Sequence, residues 1–414
     1  MQNIVIVGAS LAGTRAAETL RSGGFTGTIT MVGAEMQMPY DRPPLSKNYL
    51  AGDWDADRVA LRKPEALEEL NLTWKLGVAA TSLDTTAKSV ALADGSTIAY
   101  DGLIIATGGD VRRLPHQPAI AGVHTLRTLE DATVLRDEIA EGTKVVVIGA
   151  GFIGLEAAAT AKKRGAEVTV LEGLEAPLIR AMGAEMGAAI GAVHERNGVR
   201  VMCSVQVASI DGDSRVTGVT LTNGETIPAD VVIVGIGVSP ATTWLEGSGL
   251  TMRDGVVCDA NLNAGPETVF VAGDVLRWPN ALFADVEADM RVEHWTNAAE
   301  QGAVAATNLL AALNAQPQAP YEAVPFFWSD QFDARIQCLG RPSANARVDV
   351  VAGNPADGKW CSIYSVNDRL TAVLGVSQPK LVMPSRGLLS THTSREDALA
   401  HFARVTAPPP PPAA

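Results

Sequence analysis

The stretch Lys144–Glu172 reads KVVVIGAGFIGLEAAATAKKRGAEVTVLE, and the fold class follows from it. Val145 to Ile148 form an unbroken β-branched run, which suits a strand buried on both faces of a parallel sheet. Gly149, Gly151 and Gly154 follow at the G-x-G-x-x-G spacing, and a helical stretch runs from Ile153 to about Arg164. A second buried strand, Glu167 to Leu171, ends at Glu172. Gly149 permits the tight turn, Gly151 lets the backbone approach a pyrophosphate, and Gly154 lets the helix pack closely on the strand. The helix N-terminus offers free N–H groups and a positive dipole end to phosphates. Glu172 falls where a carboxylate accepts both hydroxyls of an adenosine ribose and repels a 2′-phosphate. No Arg follows it in GLEAPL, so NAD is favoured over NADP. A bare glycine motif also fits a turn with no ligand, but strand, glycines, helix, strand and terminal acid in this order mark a dinucleotide site.

At 414 residues the chain is long enough for several domains, each with a core of its own. Apolar content of 47% and charged content of 19% describe an ordinary globular protein. No apolar run approaches membrane-spanning length, and Met1 leads almost directly into a strand with no signal-like segment. A cytoplasmic protein with no membrane partner is expected. The net charge of −13 argues against nucleic acid as a general partner, and its plain meaning is simple solubility. Cys203, Cys258, Cys338 and Cys361 are scattered without C-x-x-C or metal-ligand spacing, so neither a disulfide framework nor a metal site is expected.

The pattern around Lys144 also occurs at the start of the chain. Asn3 to Val7 is a short apolar strand, and Gly8-Ala-Ser-Leu-Ala-Gly13 leads into a helix ending near Ser22. Ser10 stands in the middle glycine position. The strand Thr28–Val32 ends in Gly33-Ala34-Glu35, which makes Glu35 the natural ribose carboxylate. Two such units imply two dinucleotides, FAD with NAD being the common pairing; a duplicated fold with one empty site is the alternative.

Between and after these units lie further candidate elements. Met38 to Lys47 (MPYDRPPLSK) is a rigid loop whose Arg42 and Lys47 either meet phosphate or an isoalloxazine ring, or are solvated surface charges. Val78 to Tyr100 reads as short strands around an Asp94-Gly95 turn. Leu103 to Gly109 runs a strand into a glycine turn, and Thr128 to Ala140 is an amphipathic helix. Pro177 to Arg196 reads as one helical segment carrying Arg180. Asp230 to Ile236 is a buried strand whose Gly235-Ile236-Gly237 end lets backbone pass close to a nicotinamide. Thr268 to Asp274 delivers an aspartate past a glycine at a sheet's carboxyl edge, where a carboxylate can hold a ribityl hydroxyl; a helix N-cap role for Asp274 is also expected and does not exclude the first. A long helix of small residues ends near Leu313. From Tyr321 a small α+β domain is expected, with four strands (Arg335–Leu339, Val348–Val351, Trp360–Val366, Leu370–Val376). Its aromatic run Pro325–Phe332 reads either as core or as a ring stacked near a flavin. Pro408 to Pro412 forms a polyproline tail.

PYDRPPLSK, GAGFIGLE, VEHWTNAAEQG and FFWSDQF together resemble the FAD-dependent NADH:ferredoxin reductases that serve bacterial oxygenases and cytochromes P450, from Asn3 to about Phe402. The resemblance implies an α/β, glutathione-reductase-like architecture: two Rossmann-type dinucleotide-binding domains plus a C-terminal α+β domain. The implied division is FAD-binding 1–111 and 241–318, NAD-binding 112–240, C-terminal domain 319–403 and tail 404–414. It implies FAD contacts from Gly8, Ala12, Gly13, Glu35, Arg42, Lys47, Ala80, Arg127, Asp274, Trp295 and Trp328. It places Lys47 and Glu156 as a pair near the flavin N5 edge, with no acid–base catalyst required. NAD contacts are expected from Gly149, Gly151, Phe152, Ile153, Gly154, Glu156, Glu172, Arg180, Gly235, Ile236 and Gly237. In some members the ribose acid stands at the position of Ala34, so Glu35 is assigned by neighbourhood.

The implied activity passes electrons from NADH through FAD to a [2Fe–2S] ferredoxin, and so indirectly to an oxygenase or cytochrome P450, in a monomer or homodimer. Arg58, Arg62, Lys63, Arg341, Lys380 and Arg386 either form a ferredoxin docking patch or are dispersed solvated cations. Dithiol reductases of the same fold need a paired cysteine in the first domain, and Met1 to Val201 contains none. Thiol-based NADH oxidases and coenzyme A disulfide reductases need a single cysteine near Asp41 and Arg42. Rubredoxin reductase, or an NADH-responsive FAD sensor of the apoptosis-inducing-factor kind, remain as alternatives.

Overall fold

The computed structural model describes residues 2–343 and 345–407, so the polyproline stretch Pro408–Pro412 lies outside the described residues. The chain forms two compact units. Of the described residues, the first takes 2–43, 54–111 and 238–325; the second takes 44–53, 112–237, 326–343 and 345–407.

The first unit is built on a five-stranded sheet in the order Val269–Val271, Gly102–Ile105, Asn3–Val7, Thr28–Gly33, Thr73–Leu76. All four pairings are parallel, with Val5 opposite Thr30 on one side and Leu103 on the other. Ile4, Val5 and Ile6 are fully buried, as strands covered on both faces require. The helices Leu11–Ser22 and Trp295–Leu313 belong to this unit. Asp274 is followed by the strand Leu276–Trp278 rather than by a helix. The strands Ala80–Asp84, Ser89–Leu92 and Thr97–Ala99 form an antiparallel meander that turns at Asp94-Gly95.

The second unit repeats the parallel design in the order Arg200–Met202, Glu167–Leu171, Lys144–Ile148, Val231–Val234, Val123–His124. Val146, Ile148, Val232 and Val234 point from this sheet into a core shared with Val219, Leu221 and Ile227 of a three-stranded antiparallel sheet. Thr128 caps the helix Leu129–Glu138 through a capping box with Asp131. The expected helix over Pro177–Arg196 is two helices, Ile179–Met182 and Ala184–Arg196, broken at Gly183 with φ +82°.

The C-terminal part of this unit is an antiparallel sheet in the order Phe326–Gln331, Ala334–Gly340, Arg369–Val376, Lys359–Val366, Arg347–Asn354. The aromatic run therefore adds a fifth, edge strand to the four expected. Phe326, Phe327 and Trp328 are only half-buried, while Trp360 and Tyr364 fill the core. The core reading of that run is corrected. Among the described residues no helix is long and apolar enough to cross a membrane.

Candidate active site

In the first unit a cavity of about 440 Å³ opens at the carboxyl ends of the parallel strands, lined by Gly8, Ser10, Glu35, Arg42 and Ala80 among others. That volume lies within the usual range of small-molecule sites. Gly8 holds φ +124°, and a Cβ there would stand 2.0 Å from the Ala106 carbonyl oxygen. Only glycine lets the chain turn so close to the neighbouring strand. Ser10 takes the N-cap position of the helix Leu11–Ser22 in an extended conformation, and its side chain makes no capping hydrogen bond. The smallness of serine thus keeps the helix N-terminus open.

Glu35 is held by its own loop. Arg42 Nη2 donates to Glu35 Oε1 at 2.5 Å, and the Tyr40 hydroxyl donates to Oε2. Burial pulls the Arg42 guanidinium down, but Tyr40, Glu35 and Asp274 together outweigh it and raise its pKa. Asp274 thus stands within electrostatic reach of the same cation. Ala12 borders the turn that carries Asp274, since its Cβ lies 3.3 Å from where a Cβ on Gly273 would stand. Trp295, at the start of its helix, donates from Nε1 to Asp41 Oδ1 at 2.6 Å. Gly8, Ala12, Gly13, Glu35, Arg42, Ala80, Asp274 and Trp295 are therefore all in this unit. The cradle fits a dinucleotide: an open helix end, a glycine turn with no room for a side chain, and a carboxylate, Glu35, in the cavity wall beyond the second strand.

The second unit carries the equivalent turn. Gly149 holds φ +102°, and a Cβ there would stand 2.5 Å from the Gly235 carbonyl oxygen. Gly151 caps the helix Phe152–Lys163 with no side chain in the way. Glu172 accepts from the Ala150 N–H at 2.8 Å through Oε2 and from the Leu174 N–H at 2.9 Å through Oε1. Gly235 donates its N–H to Ile148 O, which brings the Gly235–Gly237 end beside the glycine turn. Ile153 and Arg180 are exposed, and Phe152 packs its ring on Phe327 at 4.8 Å between centroids. Leu178, a bulky residue at φ +53°, donates its N–H to Ala150 O and so pins the Arg180 helix to the turn.

Lys47 and Glu156 meet within the second unit. Lys47 Nζ lies 2.6 Å from Glu156 Oε2, with the two side chains 16% and 6% exposed. Ser46 Oγ donates to the same oxygen at 2.5 Å, and Ser329 Oγ donates to Oε1 at 2.6 Å. Thr160, one turn along the helix from Glu156, donates to Ser46 O at 2.8 Å and fixes the loop backbone. The nearly buried Glu156 carboxylate thus accepts from three donors, two at Oε2 and one at Oε1. Arg127 and Trp328 also fall in this unit: the Arg127 N–H donates to Asp131, and Trp328 stacks on Phe326 at 6.1 Å. Sequence reasoning did not single out Tyr40, Ser46, Thr160 or Ser329, although PYDRPPLSK and FFWSDQF contain three of them.

The six candidate docking cations divide between the units, Arg58, Arg62 and Lys63 in the first and the other three in the second. Arg62 pairs with Glu18 at 2.5 Å, and Arg58 lies over the Trp54 ring at 4.4 Å. All four cysteines are free. Burial raises the Cys258 and Cys338 thiols and lifts Cys361 to about 12; burial and nearby carboxylates raise Cys203. None is poised to form a thiolate. No metal-ligating cluster occurs among the described residues.

The model of the pyridine nucleotide-disulphide oxidoreductase family matches residues 2–302, and that of the reductase C-terminal domain matches residues 326–403. Rhodocoxin reductase of Rhodococcus erythropolis is 39% identical over 391 residues, covering 94% of this chain and 90% of that protein. The ferredoxin–NAD(+) reductase component of the anthranilate 1,2-dioxygenase system of Burkholderia cepacia is 36% identical over 389 residues, 93% of each chain. Among solved structures, the covalent putidaredoxin reductase–putidaredoxin complex superposes with a TM-score of 0.89 at 32% identity, covering 98% of each chain. The paired glycine turns, the parallel sheets beneath them and the appended antiparallel sheet are accounted for together: the chain belongs to the pyridine nucleotide-disulphide oxidoreductase family.

Proposed function

We propose that this protein passes electrons from NADH through FAD to a [2Fe–2S] ferredoxin, which supplies an oxygenase or a cytochrome P450. One observation carries the reading: the chain has two dinucleotide cradles and no thiol able to take the electrons, so they must leave to an external acceptor. The names of its relatives, reductases of rhodocoxin and of a dioxygenase system, support the same class of acceptor. We assign residues 1–111 and 241–318 to FAD, 112–240 to NAD and 319–403 to the C-terminal domain. The Gly8 turn with Glu35 and Arg42 serves FAD, and the Gly149 turn with Glu172 serves NADH. A cytoplasmic setting, where NADH is supplied, goes with this reading.

A bound FAD would supply the two-electron hydride and single-electron chemistry that links NADH to a one-electron acceptor. The chain's own residues position and polarise. Glu172 keeps its full negative charge at the ribose position and repels a 2′-phosphate. Glu156 anchors Lys47 and balances its charge, so the pair offers directed N–H donors with little net charge. Replacing Lys47 with Met removes those donors and is expected to slow flavin reduction by NADH about 10-fold to 100-fold in rapid mixing. An unchanged rate removes Lys47 from the mechanism.

The decisive experiment is NADH-driven cytochrome c reduction with and without a [2Fe–2S] ferredoxin, repeated with NADPH. A large ferredoxin-dependent gain confined to NADH is expected. Slow NADH consumption indifferent to ferredoxin and rubredoxin alike overturns the reading in favour of a redox sensor or oxidase.

A further inference from the structure

Glu156 is the end of a longer run of buried side chains. Ser329 Oγ, which donates to Glu156 Oε1, accepts from Gln331 Nε2 at 3.0 Å, and Gln331 Oε1 lies 2.8 Å from His194 Nε2. His194, Ser329 and Gln331 are all 0% exposed. Strand alternation explains two of them: Ser329 and Gln331 share one face of Phe326–Gln331, and Trp328 and Asp330 point the other way, half-buried. His194 comes from the helix Ala184–Arg196, and the Phe332 ring stands edge-on to its imidazole at 5.1 Å.

The direction of every hydrogen bond in this run is forced. An ionised carboxylate only accepts, so Ser329 must donate its hydroxyl to Glu156. The Ser329 oxygen then accepts from the Gln331 NH₂, which leaves the amide oxygen as an acceptor. His194 must therefore carry its hydrogen on Nε2. Its Nδ1 is buried and has no hydrogen-bond partner among the described residues, so the imidazole is the neutral Nε2–H tautomer. Burial pulls the His194 pKa below its ordinary value, against the Gln331 hydrogen bond, which agrees with a neutral ring.

We propose that His194, Gln331 and Ser329 form a one-way hydrogen-bond relay that fixes the Glu156 carboxylate and, through it, the place of the Lys47 ammonium. The last torsion of a glutamate is broad, so a carboxylate gripped at one oxygen still swings. Ser46 and Lys47 grip only Oε2, and Ser329 at Oε1 stops the rotation. His194 touches neither Glu156 nor Lys47. It is a positioning residue that sets the orientation of the Gln331 amide. Apolar side chains would fill the same space without desolvation cost, so what the polar run adds is direction.

The positional claim stands on the geometry, and its consequence for electron transfer rests on the proposed function. The test uses the FAD-loaded full chain treated with an amine-acetylating ester, with Lys47 labelling read by peptide mass spectrometry relative to exposed Lys144. Ser329→Ala is expected to speed Lys47 acetylation about fivefold, and His194→Met about twofold to threefold. His194→Gln keeps a donor at the Nε2 position and is expected to label at the parent rate. Flavin content and melting temperature are measured alongside, so that general loosening is recognised. Parent-level labelling in Ser329→Ala overturns the relay, as does equal labelling of His194→Met and His194→Gln. Should Ser329→Ala not fold, the His194 pair decides alone. If labelling follows the expected order but the parent shows no ferredoxin-dependent turnover, the relay stands and the proposed function falls.

Discussion

The two glycine turns share one backbone design but treat their carboxylates differently. In the first unit Glu35 is shared between a guanidinium and a phenol hydroxyl from its own rigid loop. In the second, Glu172 is gripped only by backbone N–H groups and has no ion-pair partner among the described residues. The first arrangement neutralises the acid and ties a proline-rich loop over the cavity. The second leaves a full negative charge at the site. The difference suits a cofactor that stays in one cradle and a coenzyme that comes and goes from the other.

The largest expected effects come from blocking each turn separately. Gly8→Ala places a Cβ 2.0 Å from Ala106 O, and Gly149→Ala places one 2.5 Å from Gly235 O, both at strongly positive φ. With strain of about 3 kcal/mol or more, each is expected to weaken its own dinucleotide about 100-fold. Gly8→Ala should purify nearly free of flavin by absorbance. Gly149→Ala should keep its flavin and lose NADH affinity, and loss of flavin from it as well breaks the claim of two separate cradles. Next in size is Arg42→Ala, which strands the Glu35 charge. Loss of a charged hydrogen bond worth about 1.5–3 kcal/mol predicts roughly 10-fold or greater weakening of FAD in equilibrium dialysis, with NADH affinity unchanged. The smallest is Glu172→Gln, which keeps one acceptor but removes the charge. Its NADPH-to-NADH ratio of kcat/KM is expected to rise about threefold to tenfold, and its melting temperature to fall by about 2–4 °C. An unmoved coenzyme ratio removes Glu172 from the ribose site.

Much of this architecture was legible because its causes are local. A β-branched run, a glycine that must take positive φ and an acid at the end of the next strand are all visible within thirty or so residues, which is why both parallel sheets could be anticipated. The break at Gly183 was not legible, since a glycine within a helical pattern is either tolerated or a stop. The strand Phe326–Gln331 was hidden because its pattern is inverted: the polar Ser329 and Gln331 face inward while aromatic rings stay half-exposed. The surroundings of Glu156 were the least readable. Ser46 and Ser329 reach it across 110 and 173 residues of chain, and no local pattern reports such partners.

Those separations have a consequence during synthesis. Glu156 leaves the ribosome with Lys47 and Ser46 already made, but Ser329 follows 173 residues later. At roughly 5–20 residues per second, that interval is on the order of 10–35 s. For that time the nascent second unit holds a carboxylate whose Oε1 has no hydroxyl to meet it. Closing this pocket is therefore an event of late chain growth, and a ribosome stalled before the last sheet carries both glycine turns without a finished Lys47 anchor.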